Sequence, residues 1–297
     1  MLRALFFMFA LLTIAAAAIA PQYFNLANPH RLYQDVALVE KRAPQLEIRQ
    51  LPDFSVYGGT ADKKQAFFSF LAPLVAAENA YIEEQRQGVQ TLYTKWRFNP
   101  TSLTPQQVQW LANIAKEYRV EFDYRNNAET AFELLLRRVD VVPETLVLVQ
   151  AANESGWGTS RFALQALNLF GQWCFTDGCG LVPESRGEQA THEVQRFPSV
   201  NASIRSYLRN LNTHPAYVEL RQLREQQRQK GRDIRALDLT PGLAAYSERG
   251  EAYIEELNAM IRVNRPLILD ALREDPRLHE GPVAEPDFPA SSNSAPE

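Results

Sequence analysis

The chain is 297 residues long, which allows one large domain or two ordinary ones and excludes a miniprotein held together by staples alone. Apolar residues make up 45%, charged residues 22% and aromatics 10%, a balance that buries a core and excludes a chain disordered throughout. With 31 Lys plus Arg against 35 Asp plus Glu the formal charge is −4, so there is no global positive field and nucleic acid is not an expected partner.

Residues 1–20 open with Met1-Leu2-Arg3 and then run uncharged from Ala4 to Ala20, the pattern of a secretory signal. Pro21 directly after Ala18-Ile19-Ala20 hinders cleavage there, and the apolar run is just long enough to span a bilayer. The two readings are a cleaved signal peptide and an uncleaved inner-membrane anchor; both imply export, with a periplasmic location.

Residues 21–60, with Pro21, Pro29, Pro44, Pro52 and Gly58-Gly59, read as an extended tether. Residues 61–122 read as a helical N-terminal region. Its first helix spans Lys63 to Trp96, with Phe67, Phe70, Leu71, Leu74 and Val75 on one stripe and Pro73 as a kink. Its second starts with Thr104 as N-cap and Pro105 at the first helical position. The two predict a helical hairpin.

Asn126-Asn127 breaks the pattern, and residues 126–275 read as a second unit with helices near 128–138, 143–154, 159–167, 199–213, 215–230 and 248–273. Between Trp173 and Phe197 the helical period disappears, Gly178, Gly180 and Gly187 appear, and a small β-hairpin is predicted. The expected class is therefore α+β, mainly α. Residues 276–297 are rich in Pro, acids and Ser and are expected to be disordered. Cys174 and Cys179 are the two cysteines; with Asp177-Gly178 supplying a turn between them, they are expected to form a disulfide worth about 2 kcal/mol, used to fix local geometry.

Chemistry concentrates after Pro143, which opens a helix whose run from Leu146 to Ala152 is apolar nearly all round and which Gly156 ends. Glu154 falls in the last turn. The negative end of the helix dipole and apolar neighbours such as Trp157 both disfavour its charged form. A carboxylic acid kept protonated is what a general acid needs to protonate a glycosidic oxygen.

Glu154-Ser155-Gly156-Trp157-Gly158, followed by Asn168-Leu169-Phe170-Gly171, resembles the paired signature of the peptidoglycan-cleaving endo-β-N-acetylglucosaminidases of glycoside hydrolase family 73. Arg196-Phe197-Pro198-Ser199 with Ser203 and Tyr207 is similar to that family's segment after the hairpin, and Ala245-Tyr246-Ser247 to its late tyrosine segment. The Cys174–Cys179 insert and the run Glu248-Arg249-Gly250-Glu251-Ala252-Tyr253 resemble the bacterial Bax-type proteins of the same family, unrelated to the apoptosis regulator. The resemblance covers about residues 128 to 273. It implies a lysozyme-like catalytic domain, export, and cleavage of the β-1,4 bond after N-acetylglucosamine, with Glu154 as proton donor and peptidoglycan strands as the partner. Tyr246 matches a cleft-lining tyrosine that orients the N-acetyl group or a water. Trp157 and Phe170 are candidate substrate contacts, though both residue types in such a motif also serve as core.

Family members that use a second acid carry it on the hairpin, where Glu184, Glu188 and Glu193 lie here. Glu193 ranks first and Glu184 second; some glycosidases instead use the substrate's own acetamido oxygen. His192-Glu193-Val194-Gln195-Arg196 begins like a zinc motif, but Arg196 stands where the second ligand belongs, so no metal and no cofactor are expected. The basic stretch Arg221 to Arg235 is interleaved with Glu219, Glu225 and Asp233 and reads as a solvated helix face. A lytic transglycosylase and a non-catalytic glycan-binding or scaffold protein of the envelope are the rival functions.

Overall fold

The computed structural model describes Leu38, Arg42, residues 45–184 and residues 191–273. The expected signal or anchor, the start of the tether, Glu188 and the tail lie outside these residues. Two compact units divide the chain: one holds Tyr81–Asp140 with the described residues up to Gln45, the other Leu46–Ala80 and everything from Val141 onward. The fold is mainly α with a small antiparallel sheet, an α+β arrangement as the patterning predicts.

Helix α1, Thr60–Phe98, extends through the proline expected to kink it, and its first part belongs to one unit and its second part to the other. The boundary between the two units, at Ala80 and Tyr81, falls within α1. In the first unit, α2 (Pro105–Glu117) starts on a full capping box: Thr104 Oγ1 accepts from Gln107 N while Gln107 Oε1 accepts from Thr104 N. Helix α3, Ala128–Arg138, belongs to the same unit and buries Ala131, Phe132 and Leu135. Phe132 stacks with Tyr93 at 5.0 Å between centroids.

The second unit is built around α4, Glu144–Ser155, buried from Leu146 to Ala152. It continues with α5 (Arg161–Ala166), α6 (Val200–Thr213), α7 (Val218–Gln229), α8 (Ala236–Leu239) and α9 (Glu251–Arg273). Strands β1 (Trp173–Cys174), β2 (Gly180–Leu181) and β3 (Glu193–Gln195) form a sheet ordered β1-β3-β2, so the predicted hairpin is a three-stranded sheet. Strands of two or three residues are marginal alone. Here the expected Cys174–Cys179 disulfide closes the β1–β2 turn with a Cα–Cα distance of 6.2 Å.

The end of the expected tether is docked rather than loose. Val200 N donates to Ile48 O at 2.8 Å, Ile48 N donates to Asn201 Oδ1 at 2.9 Å, and Ser199 Oγ donates to Glu47. Phe54 is buried, edge-on to Phe67 at 5.4 Å between centroids.

Candidate functional site

The Glu154 motif is first of all a turn. Gly156, Trp157 and Gly158 all have left-handed backbone angles, φ of 57°, 60° and 75°. Gly156 and Trp157 both donate their N–H to Ala152 O, which satisfies the end of α4. Ser155 is fully buried; its hydroxyl donates to Ala151 O and accepts from Gly158 N at 2.8 Å. A Cβ on Gly158 would stand 2.7 Å from Phe54, so glycine is required there twice over. The chain cannot continue the helix past Ser155, and Glu154 is left in its final turn.

The second motif block is a clamp. Asn168, 1% exposed, donates from Nδ2 to Gln172 O and Gln195 O at 2.8 and 2.9 Å, while its Oδ1 accepts from Phe170 N and Gln172 N at 3.3 and 3.1 Å. The clamp brings exposed Gly171, φ 64°, against the acid: a Cβ there would stand 3.8 Å from Glu154 Oε2. The two blocks recognised in the sequence thus meet at one carboxyl group.

Glu154 is half-buried, and burial, the largest influence, pushes its carboxyl above its ordinary pKa, reinforced by Glu256 and opposed by hydrogen bonds from Tyr253 and Asn153 and by Arg249. Tyr253 Oη donates to Glu154 Oε1 at 2.8 Å and accepts from Gln150 Nε2 at 3.0 Å; Tyr207 Oη donates to Gln150 Oε1. Burial, then the Glu154 charge, push Tyr253 far above the usual phenol range, so it stays protonated. Arg249 and Glu256 pair at 2.7 Å nearby. Tyr253 and Gln150 received no role from the sequence. Gln150, a polar residue inside the apolar run of α4, is the signal that could have found them.

Tyr246 lies beside this group, its ring stacked on Tyr253 at 5.6 Å and 7° and its hydroxyl donating to Phe170 O at 2.8 Å. The other candidates lie in varied surroundings. Phe170 is 2% exposed with its ring stacked on Tyr207 at 4.0 Å, so it offers the site a carbonyl and not a sugar-facing ring. Trp157 packs edge-on against Phe67 and Phe68 at 5.8 and 5.3 Å, with Lys64 Nζ over its ring at 4.9 Å. Glu193, 5% exposed, turns its carboxylate into the disulfide turn, where it accepts from Gly178 N at 3.1 Å and Gly180 N at 2.7 Å. In this arrangement both of its oxygens serve the loop backbone. Glu184 is 86% exposed, 3.8 Å from Arg161. Cys174, Cys179 and Glu193 bring possible metal-binding atoms within 4.8 Å of one another, but the sulfurs are joined to each other.

The unit with the small sheet thus holds a half-buried carboxyl among tyrosines, and a family model described as mannosyl-glycoprotein endo-beta-N-acetylglucosaminidase matches residues 129–265 of the chain. The chain is also 34% identical over 218 residues, 73% of its own length and 76% of the relative's, to Protein bax of Escherichia coli (strain K12). It belongs to the glucosaminidase-domain family as a Bax-type member. Membership supports a glycan-hydrolase role in general. No solved structure matches the chain.

Proposed function

We propose that this protein hydrolyses peptidoglycan, cleaving the β-1,4 bond after N-acetylglucosamine with Glu154 as the general acid. The observation that carries the reading is the protonation-favouring burial of Glu154 beside the exposed Gly171 backbone. Burial favours the protonated form of this carboxyl, and donating that proton to a glycosidic oxygen lets the bond to the anomeric carbon break.

With Glu193 committed to the loop, the sugar's own 2-acetamido oxygen takes the second carboxylate's place: it attacks the anomeric carbon, and water then opens the resulting ring. Tyr246, whose proton goes to Phe170 O, keeps its oxygen lone pairs to accept the acetamido N–H and orient the group. No step calls for a metal or cofactor. Export to the periplasm is part of the proposal, supported by the disulfide, a bond that persists in oxidising compartments, and by the apolar run after Arg3.

The test is digestion of purified sacculi by the full chain and by Glu154→Gln. The expected wild-type products end in a reducing N-acetylglucosamine with the anomeric configuration retained, and the variant, still folded, releases none. Full activity of the variant removes Glu154 from the reaction. Products ending in 1,6-anhydromuramic acid would make the protein a lytic transglycosylase, and inversion would require a second carboxylate.

A further inference from the structure

We infer that Tyr253, held by Gln150 and Tyr207, is a positioning residue that keeps Glu154 Oε1 as an acceptor and so confines the acid proton to Oε2, on the side of Gly171. The inference deepens the hydrolase reading and rests on it for its catalytic consequence alone.

The argument is an accounting of protons. Tyr207 is fully buried and its hydroxyl donates to Gln150 Oε1. Turning the Gln150 amide over would set its NH2 group against Tyr207 and take away the acceptor that the tyrosine hydroxyl uses; a buried unsatisfied donor is strongly disfavoured. Gln150 Nε2 therefore faces Tyr253 and donates to its oxygen. The single phenolic proton of Tyr253 is then left to point at Glu154 Oε1, 2.8 Å away. Asn153 Nδ2 approaches the same oxygen at 3.5 Å. With donors gathered on Oε1, the neutral carboxyl carries its own proton on Oε2, whose neighbour is the exposed glycine. Three side chains on three helices, α4, α6 and α9, thus decide which oxygen is the donor.

The same bond sets the strength of the acid. The groups acting on or beside Glu154 are Tyr253 and Glu256 on α9, Arg249 before it, Asn153 on α4, and Tyr207, Tyr217 and Tyr246. Burial favours the neutral form, and the Tyr253 bond favours the charged one. Tyr253 therefore keeps a buried acid able to release its proton and then stabilises the carboxylate left behind.

The test titrates the full chain, labelled with 13C at the glutamate side-chain carboxyl, by NMR without substrate. The Glu154 signal is the one lost in Glu154→Gln. In Tyr253→Phe, which keeps the ring on Tyr246, the midpoint is expected to rise by about one pH unit, the scale set by a hydrogen bond to a charged group. Gln150→Met, which frees the Tyr253 hydroxyl to rotate, should raise it less and carries the test alone if Tyr253→Phe does not fold. The alkaline limb of kcat/KM should move up with the midpoint, whereas a residue that only packs would depress kcat/KM evenly across pH. An unmoved or lowered midpoint in the folded variants overturns the inference. Failure of the wild type to cut sacculi would instead sink the hydrolase reading, with the midpoints still legible.

Discussion

Replacing Gly158 by alanine separates two reasons for a glycine that usually come together. The residue has φ 75°, and an alanine there costs about 1–2 kcal/mol from the left-handed backbone alone. Its new Cβ would also lie 2.7 Å from Phe54 Cδ2 and 2.8 Å from Phe54 Cε2, ring atoms in a packed cluster. Relieving such overpacking adds about 1–3 kcal/mol, for a total of about 2–5 kcal/mol. Gly156 is the internal control: it lies in the same turn with φ 57°, and its added Cβ would meet nothing closer than Thr159 Oγ1 at 3.7 Å. Gly156→Ala should therefore cost only the backbone part. Urea unfolding followed by tryptophan fluorescence reads both, and with a slope of about 1–3 kcal/mol per molar the Gly158 variant should unfold about 1 M earlier than the Gly156 variant. Equal midpoints would refute the claim that Phe54 presses on this turn.

Asn168→Ala removes four hydrogen bonds of a buried side chain and should lose about 2–4 kcal/mol in the same unfolding assay, together with glycan cleavage, because Gly171 is no longer held against Glu154. The Cys174→Ser and Cys179→Ser double variant should lose about 2 kcal/mol, seen as a thermal midpoint that no longer responds to reductant; an undiminished response would count against the bond. Glu154 also links stability to pH. Its folded pKa is raised, so the folded state binds the proton more tightly, and that stabilisation is complete below the unfolded carboxylate pKa and lost as pH rises through the raised one. Glu154→Gln should thus gain stability over wild type from acid to neutral pH, and a constant difference in calorimetry across that range would contradict the assigned shift.

Much of this was readable in the residues because it rested on local rules. Thr104-Pro105 marked a helix start, Gly156 marked a helix end, and the loss of the helical period together with glycines between Trp173 and Phe197 marked strands. The placement of Glu154 in the last turn of a buried helix was legible because helix end and apolar run both point at one position. What the residues hid depends on contacts between segments far apart in the chain. Tyr253 reaches Glu154 across 99 positions and Tyr207 reaches Gln150 across 57, and no period or spacing encodes either meeting. Glu193 was ranked as an acid on the hairpin from its residue type and place, whereas its burial follows from a turn folding over it and lending it two backbone N–H groups. The docking of Glu47 and Ile48 escaped for a similar reason: a proline-rich segment offers no pattern until its partner, the start of α6, is in place.

The cluster of Phe54, Phe67 and Phe68 around the turn after Glu154 bears on where the unit holding the candidate site begins. All three rings come from positions well before residue 129, where the family match starts, yet they close over Gly158 and Trp157 within the same unit. A fragment cut at the homology boundary would leave Trp157 bare and Gly158 without the wall that fixes it, and the peptide carrying the acid would fray from its last turn. In this chain the smallest piece that keeps the turn after Glu154 walled in therefore starts near residue 46, and the leading segment that looks like an appendage is part of the unit that holds the candidate site.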